Sequence, residues 1–508
     1  MELVKRLHPQ RLGALPARVA RPRYDRAALR AGIVHLGVGA FQRAHLAAAT
    51  ETALHAKGDL RWGITGVSLR SAATAQALRP QQGLYTLALR DADGQGEARE
   101  ALHVIGAMPH LLVTPDDPGA VLDAIAGVET RIVSLSVTEK GYHHDPASRA
   151  LRRLDADIEH DLRVPGAPRT TIGFLAHGLQ LRRVRGLAPV TLLSCDNLPS
   201  NGDTLRALVL EFATAFDATL AEWIATQCAF PNSMVDRIVP RTTDADRARV
   251  SSELGLDDAW PVIAEPFFDW VIEDRFVGDR PAWDLAGARF VADVVPFERA
   301  KLRLVNGSHS AIAYLGAMAG WATVDQAIAQ NDLRHFIDRL MREEIAPALP
   351  PTAGLDLEDY RERLLERFAN PALQHRTQQI AMDGSQKIPQ RWLAGVRERL
   401  QAGASIEHLA LAVAAWVHYL RGVDESGRAY PIDDPLAGEL AQQLARSGSL
   451  TGELERTARF CAFTPVFGDL GGDPRFVNAV ARHLERLRTH GVSAALRALA
   501  SMAPARLR

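Results

Sequence analysis

Two kinds of hydrophobic pattern divide this chain. In the first half, Ile33 to Leu36, Trp62 to Leu69, Arg131 to Val137 and Val190 to Ser194 are short apolar runs, each followed by a polar loop and then by helical periodicity. Such alternation predicts βαβ units around a parallel sheet. A long helix is predicted from Asn201 to Ala225, opening at an Asn-Gly pair. From Phe297 onward the pattern changes. Leu364, Leu365 and Phe368, then Leu409 through Leu420, then Val477, Val480, Leu484 and Leu487 recur at helical spacing, with few strand signals. The expectation is an α/β N-terminal domain over residues 1–296 and a mainly α-helical C-terminal domain over 297–508. A chain of 508 residues is too long for one ordinary core, which also argues for two domains.

Composition narrows the class without choosing a function. Apolar residues are 47% and charged residues 23%, the balance of a folded soluble protein. A net charge of -1 suggests neither a nucleic-acid nor a membrane-surface partner. Three cysteines, Cys195, Cys228 and Cys461, form neither a disulfide framework nor a metal-ligand spacing. The first residues lack an apolar signal core, and no run reaches membrane-spanning length, so a cytoplasmic protein is expected. Its expected partner is a small molecule, and its expected state a monomer or small homo-oligomer.

The first strand ends in Gly37-Val-Gly39-Ala40-Phe41-Gln-Arg-Ala-His45, a glycine turn placed where a parallel βαβ unit binds a pyrophosphate. Gly37, Gly39, Ala40 and Phe41 are therefore candidate cofactor contacts. Gln42 stands in place of a third glycine. The second strand ends at Arg70 with no acid beside it, so Arg70 either lies over the adenine, favours a 2′-phosphate, or sits in solvent. NAD is the expected cofactor, with NADP left open.

The segment Lys301-Leu-Arg-Leu-Val-Asn306-Gly-Ser-His309 carries the chemistry. On an α-helix at about 100° per residue, Asn306 lies roughly 140° and His309 roughly 80° from Lys301, within one half of the circumference. Oxidising an alcohol requires a base for the hydroxyl proton, and a lysine serves if desolvation and nearby cations make its amine available. An asparagine amide can hold the developing alkoxide, and a histidine a neighbouring hydroxyl. Gly307 should let another group approach closely. Asn197, at the end of the fourth strand, is the candidate second amide, with Asp196 beside it read as a cap or turn former. Glu139, after the third strand, is either a proton relay or a turn residue. Asp236 and Arg237 are either an ion pair or part of the site. No metal ligand set is expected.

These residues lie in motifs by which the chain resembles the long-chain mannitol dehydrogenase family, including mannitol 2-dehydrogenases and fructuronate reductases (D-mannonate oxidoreductases). The motifs are Gly37 to His45, Thr138-Glu-Lys-Gly-Tyr142, Ser194 to Gly202, Met234-Val-Asp-Arg-Ile-Val-Pro240 and Lys301 to His309. The resemblance implies a Rossmann-type domain followed by a helical one, and metal-independent hydride transfer. It implies Lys301 as general base, Asn197 and Asn306 on the reacting oxygen, and His309 orienting substrate, with Glu139, Glu298 and Asp236 near the site.

Departures within the family bear on substrate. Gln42 replaces a common histidine, and Gln379 replaces the substrate-contacting arginine of mannitol 2-dehydrogenases. Lys140 and the segment His375 to Arg391 resemble fructuronate reductases, whereas Leu198 to Asn201 and Leu256 to Pro261 resemble mannitol 2-dehydrogenases. A carboxylate substrate wants a fixed cation; Arg376, Lys387, Arg391 and Lys140 are the candidates, and Arg376 or Lys387 is expected to meet it. The expected substrate pair is D-fructuronate and D-mannonate; the alternative is D-fructose and D-mannitol. The intact Lys301, Asn306 and His309 set argues against a cofactor sensor without catalysis.

Overall fold

The computed structural model describes residues 6–92, 98–145, 148 and 150–501. The chain forms two compact units, one built from Met1–Asp91 and Ala98–Val295, the other from Pro296–Arg508.

The first unit is organised by strands β1 (Ile33–Leu36), β2 (Ile64–Ser68), β3 (Tyr85–Ala92), β4 (Ala98–Ile105), β5 (His110–Val113), β6 (Ile132–Leu135) and β7 (Thr191–Ser194). Five of them make one sheet in the order β5-β2-β1-β6-β7, and every pairing in it is parallel. The register places Ile33 opposite both Ile64 and Ile132, and Ile132 opposite Thr191. Side chains alternate across a strand. Accordingly Ile33, Ile64, Ile132 and Leu193 enter one core, while Val34, Leu36, Val133, Leu135 and Leu192 enter another. A parallel sheet buried on both faces explains why these strands read as unbroken apolar runs. The α/β fold class expected from the sequence is borne out.

Two smaller three-stranded sheets were not anticipated: β4-β3-β9 (Val262–Ala264) and β11 (Arg289–Val291)-β10 (Asp269–Glu273)-β8 (Ser233–Asp236). Their strands are three to eight residues long, and β3 becomes partly exposed along its length, so their apolar signal is diluted. The helix expected over Asn201 to Ala225 is two helices, Asn201–Phe216 and Ala218–Gln227. Asp217 breaks it: its backbone is extended, and its carboxylate caps the second helix by accepting from the N–H groups of Thr219 and Leu220.

The second unit is helical around one large core. Its centre is the helix Ser308–Met318, in which every residue is buried. The helix Glu407–Tyr419 packs against it and is in turn covered by Pro474–Ala500. An all-round apolar helix belongs inside a core. Three segments wind as π-helix: Lys301–Gly307, Leu340–Ile345 and Pro389–Leu393. Among the described residues, no helix is long and apolar enough to cross a membrane.

Candidate active site

In the first unit the glycine turn, Glu139 and Asn197 follow the C-terminal ends of β1, β6 and β7, while Arg70 lies beyond β2 and Asp236 ends β8 in another sheet. The chain leaves β1 at Gly37 with φ +98°, and a Cβ there would lie 2.2 Å from the Ser136 carbonyl oxygen. Only glycine tolerates both conditions. Gly39 precedes helix α1 (Ala40–Ala44), and no atom lies within 4 Å of where its Cβ would stand. Gly37 is thus demanded by the neighbouring strand, while Gly39 faces the open space a phosphate group needs. Phe41 stacks on His45, with ring centroids 4.9 Å apart. Helix α1 ends at His45, after which α2 (Leu46–Lys57) begins. Gln42 is buried, and neither polar atom of its amide finds a partner. Arg70 lies exposed just beyond β2. The glycine turn at a parallel strand end suits a dinucleotide, with Gly39 as the open cradle.

Asp196, read from the sequence as a local cap, reaches across to the next strand. Its carboxylate accepts from the N–H of Val137 at 3.0 and 3.1 Å, the N–H of Thr138 at 2.9 Å and the hydroxyl of Tyr142 at 2.9 Å. Burial pushes its pKa up, against these donors, which pull it down. Glu139 opens the short turn Glu139–Tyr142 and is half-buried, while Lys140 and Asn197 are exposed. Asn201 was not singled out as an individual site residue, yet its amide donates to the carbonyls of Ser194, Asp196 and Ser233 and accepts from the Ser233 N–H. The Asn-Gly pair was a visible signal, but only the fold shows what it ties together. Asp236 ends β8, 5% exposed and in register opposite Asp269. Arg237 donates to the carbonyls of Ala44 and Glu265, which is a structural task.

In the second unit the π winding changes the geometry drawn from the sequence. An α-helix was assumed, with Asn306 well around the circumference from Lys301. A π-helix joins residues five apart, so Lys301 and Asn306 stack along one side. The segment is anchored from outside. Arg303 makes a bidentate pair with Glu398, both contacts 2.6 Å. Arg391 donates to the Asn306 carbonyl at 3.0 Å and to Ser310 Oγ at 2.6 Å. Trp392 donates to the Gly307 carbonyl at 3.2 Å, and a Cβ on Gly307 would stand 3.2 Å from that same indole nitrogen. The close approach expected at Gly307 is that of Trp392.

Lys301 is 5% exposed, His309 9%, and Asn306 half-buried. His309 lies against Phe368, centroids 5.0 Å apart, and His375 meets it edge-on at 5.1 Å. Desolvation holds the His309 pKa well below the ordinary value, helped by His375, Arg391, Arg367 and Lys301. Arg376, the next residue after His375, is exposed. Lys387 donates to the carbonyls of Met382 at 2.6 Å and Ile380 at 3.4 Å, so its ammonium helps hold its own segment. Among the described residues no three His, Cys, Asp or Glu side chains gather as a metal site.

A parallel sheet with this turn and a helical unit carrying a buried lysine are the parts of a Rossmann-type secondary-alcohol dehydrogenase. Residues 31–285 match the Mannitol dehydrogenase Rossmann domain and residues 293–488 the Mannitol dehydrogenase C-terminal domain, and the chain belongs to the mannitol dehydrogenase family. It is 44% identical over 487 residues to D-mannonate oxidoreductase of Escherichia coli, covering 95% of this chain and 98% of that one. It is 40% identical to mannitol 2-dehydrogenase of Pyrenophora tritici-repentis, covering 94% and 83%. The ternary complex of Pseudomonas fluorescens mannitol 2-dehydrogenase with NAD and D-mannitol superposes with a TM-score of 0.89 at 38% identity, covering 98% of this chain and 100% of that one.

Two predictions follow from these geometries. Gly37→Ala meets both a positive φ and the Ser136 carbonyl, at a cost of about 2 kcal/mol or more. It should weaken NADH binding at least tenfold by fluorescence titration; an unchanged affinity contradicts this account of the turn. For His309, the unfolded chain takes up a proton below the ordinary pKa of 6.5 and the folded chain does not. Its contribution to stability is therefore present above that value and lost as pH falls below it. His309→Asn should make the acid-side fall in melting temperature shallower, and a steeper fall would show that the ring is charged in the native state.

Proposed function

We propose that this chain is an NAD-dependent oxidoreductase interconverting D-fructuronate and D-mannonate, with Lys301 as general base. The observation that carries the choice of substrate is the cation held beside His309: the Arg391 guanidinium, fixed on the Asn306 carbonyl at 3.0 Å and on Ser310 Oγ at 2.6 Å, with Arg367 also near the ring. A sugar acid matches such a cation with its carboxylate, whereas a neutral polyol gains nothing from it. Arg376 is the proposed partner of that carboxylate, in the segment where Gln379 replaces the arginine of polyol enzymes. Lys387, already donating to two carbonyls, supports the same segment. The 44% identity to D-mannonate oxidoreductase points the same way.

Gly37, Gly39, Ala40, Phe41 and Arg70 would hold the dinucleotide, and NAD bound there would supply the hydride acceptor. Lys301 Nζ takes the hydroxyl proton from the carbon being oxidised. The amides of Asn306 and Asn197 donate to that oxygen as charge develops on it, which lowers the barrier more than it tightens ground-state binding. His309, held neutral, binds a neighbouring hydroxyl, and Asp236 and Glu139 bind further hydroxyls of the chain. The second reading, mannitol 2-dehydrogenase, is favoured by the 0.89 TM-score to the Pseudomonas fluorescens complex with D-mannitol.

Lys301→Ala should lower kcat by about 10²–10⁴-fold while NADH still binds. A mutant retaining half of wild-type turnover would assign the base elsewhere. Wild type should reduce D-fructuronate with NADH faster than D-fructose, and Arg376→Ala should raise KM for fructuronate by about 10-fold or more with little change for fructose, since one lost charge partner costs over 1.4 kcal/mol. A preference for fructose, or equal effects on both substrates, gives the polyol reading its place.

A further inference from the structure

The most constrained backbone near the candidate site is at Thr138. Its φ of +64° and ψ of 165° fall in a region that is almost exclusively glycine's, and a β-branched residue is among the least suited to it. Such a conformation persists only where its surroundings over-determine it. Here the surroundings are one carboxylate. Asp196 accepts from the N–H groups of Val137 and Thr138 on one side of Glu139, and from the Tyr142 hydroxyl on the other. The Tyr142 hydroxyl also meets Ser194 Oγ at 2.7 Å, and Gly141 closes the turn by donating to the Thr138 carbonyl at 3.0 Å. Asp196 is itself held, since Asn201 donates to its carbonyl at 3.0 Å. Both ends of the loop that carries Glu139 are therefore tied to the residue immediately before Asn197.

We propose that Asp196 is a positioning residue that fixes the Glu139 loop in its strained conformation and so sets where the Glu139 carboxylate is presented. An ordinary cap would satisfy N–H groups in a relaxed turn. This carboxylate instead holds a backbone that would otherwise relax, and it does so from the neighbouring strand end. Asparagine reproduces it only in part, because its single acceptor oxygen can keep the two N–H groups but it loses the charge and the second oxygen, on which the Tyr142 hydroxyl donates. The proposal rests on the reading that Glu139 serves the substrate site, and its tests separate the two.

The first test is structural and independent of turnover. In Asp196→Asn, amide hydrogen exchange over residues 137–142 should quicken at least tenfold while exchange in β1 and β2 is unchanged; unchanged protection of that loop overturns the proposal. The second is kinetic, with whichever keto acid or ketose the wild type reduces fastest. A misplacement on the order of 1 Å can cost about 10²-fold. Asp196→Asn should lower kcat by about 10–100-fold, with NADH affinity and melting temperature close to wild type. Tyr142→Phe, which deletes a single tether, should show a smaller loss in the same direction. Because Asp196 acts through Glu139, the double variant Asp196→Asn with Glu139→Gln should be no slower than Glu139→Gln alone. Losses that multiply, or NADH affinity and melting temperature that fall in step with kcat, overturn the positioning role. Full activity in Glu139→Gln, together with quickened exchange in Asp196→Asn, removes Glu139 from the site and leaves the loop clamp standing.

Discussion

The approach of the β1 and β6 ends to one another is the constraint on which the nucleotide-binding unit depends. Beyond their paired residues the two strands converge until no side chain fits between Gly37 and the Ser136 carbonyl. Ser136 Oγ then donates back to the Gly37 carbonyl at 3.1 Å, and the buried His35 ring lies between Ser134 Oγ and Ser136 Oγ at 2.8 and 2.9 Å. Burial lowers the His35 pKa to about 3, so this polar link stays uncharged inside the sheet. With β1 and β6 locked, the open space beside Gly39 and the loop after Ser136 have fixed positions. Asp196 extends the same lock to β7.

The helical unit solves a different problem, that of putting polar groups on an otherwise buried helix. A standard α-helix through Lys301 and His309 would spread the polar residues over half its surface. The π winding brings Lys301 and Asn306 into line and leaves backbone carbonyls that need extra donors. Arg391 and Trp392, from a second π segment, supply them at Asn306 and Gly307. The irregular winding is thus stabilised by residues far away in sequence. The same Arg391 adds to the field that keeps His309 neutral, so support of the helix and electrostatics of the site share a residue.

Much of this was legible along the chain. Four of the five strands of the central sheet appeared as short apolar runs because both sheet faces are buried, which removes the polar alternation that would otherwise blur them. The fifth, β5, lies at the sheet edge with an exposed His110 and a half-buried Leu112, so its apolar signal is diluted. Glycine at 37 and 39 and the order Lys301, Asn306, His309 were visible as chemistry. Asp217 as a break between two helices was not, since the residues around it keep the same apolar spacing, and a cap acts through backbone geometry rather than through pattern. Asp196 was seen only as a turn former because its partners lie about sixty residues away, on another strand.

The amino-acid sequence by itself determined the element types, the two-part organisation and the residue types able to move a proton and hold an oxygen, because these follow from local periodicity and side-chain chemistry. Tertiary structure decided which of those residues are held and by what. The π winding at Lys301 depends on Arg303 meeting Glu398 and on Trp392 meeting Gly307. The neutral state of His309 depends on burial and on cations drawn from other helices. The strained turn before Glu139 depends on a carboxylate from the next strand. Each is a contact between distant parts of the chain, and no local pattern encodes its geometry.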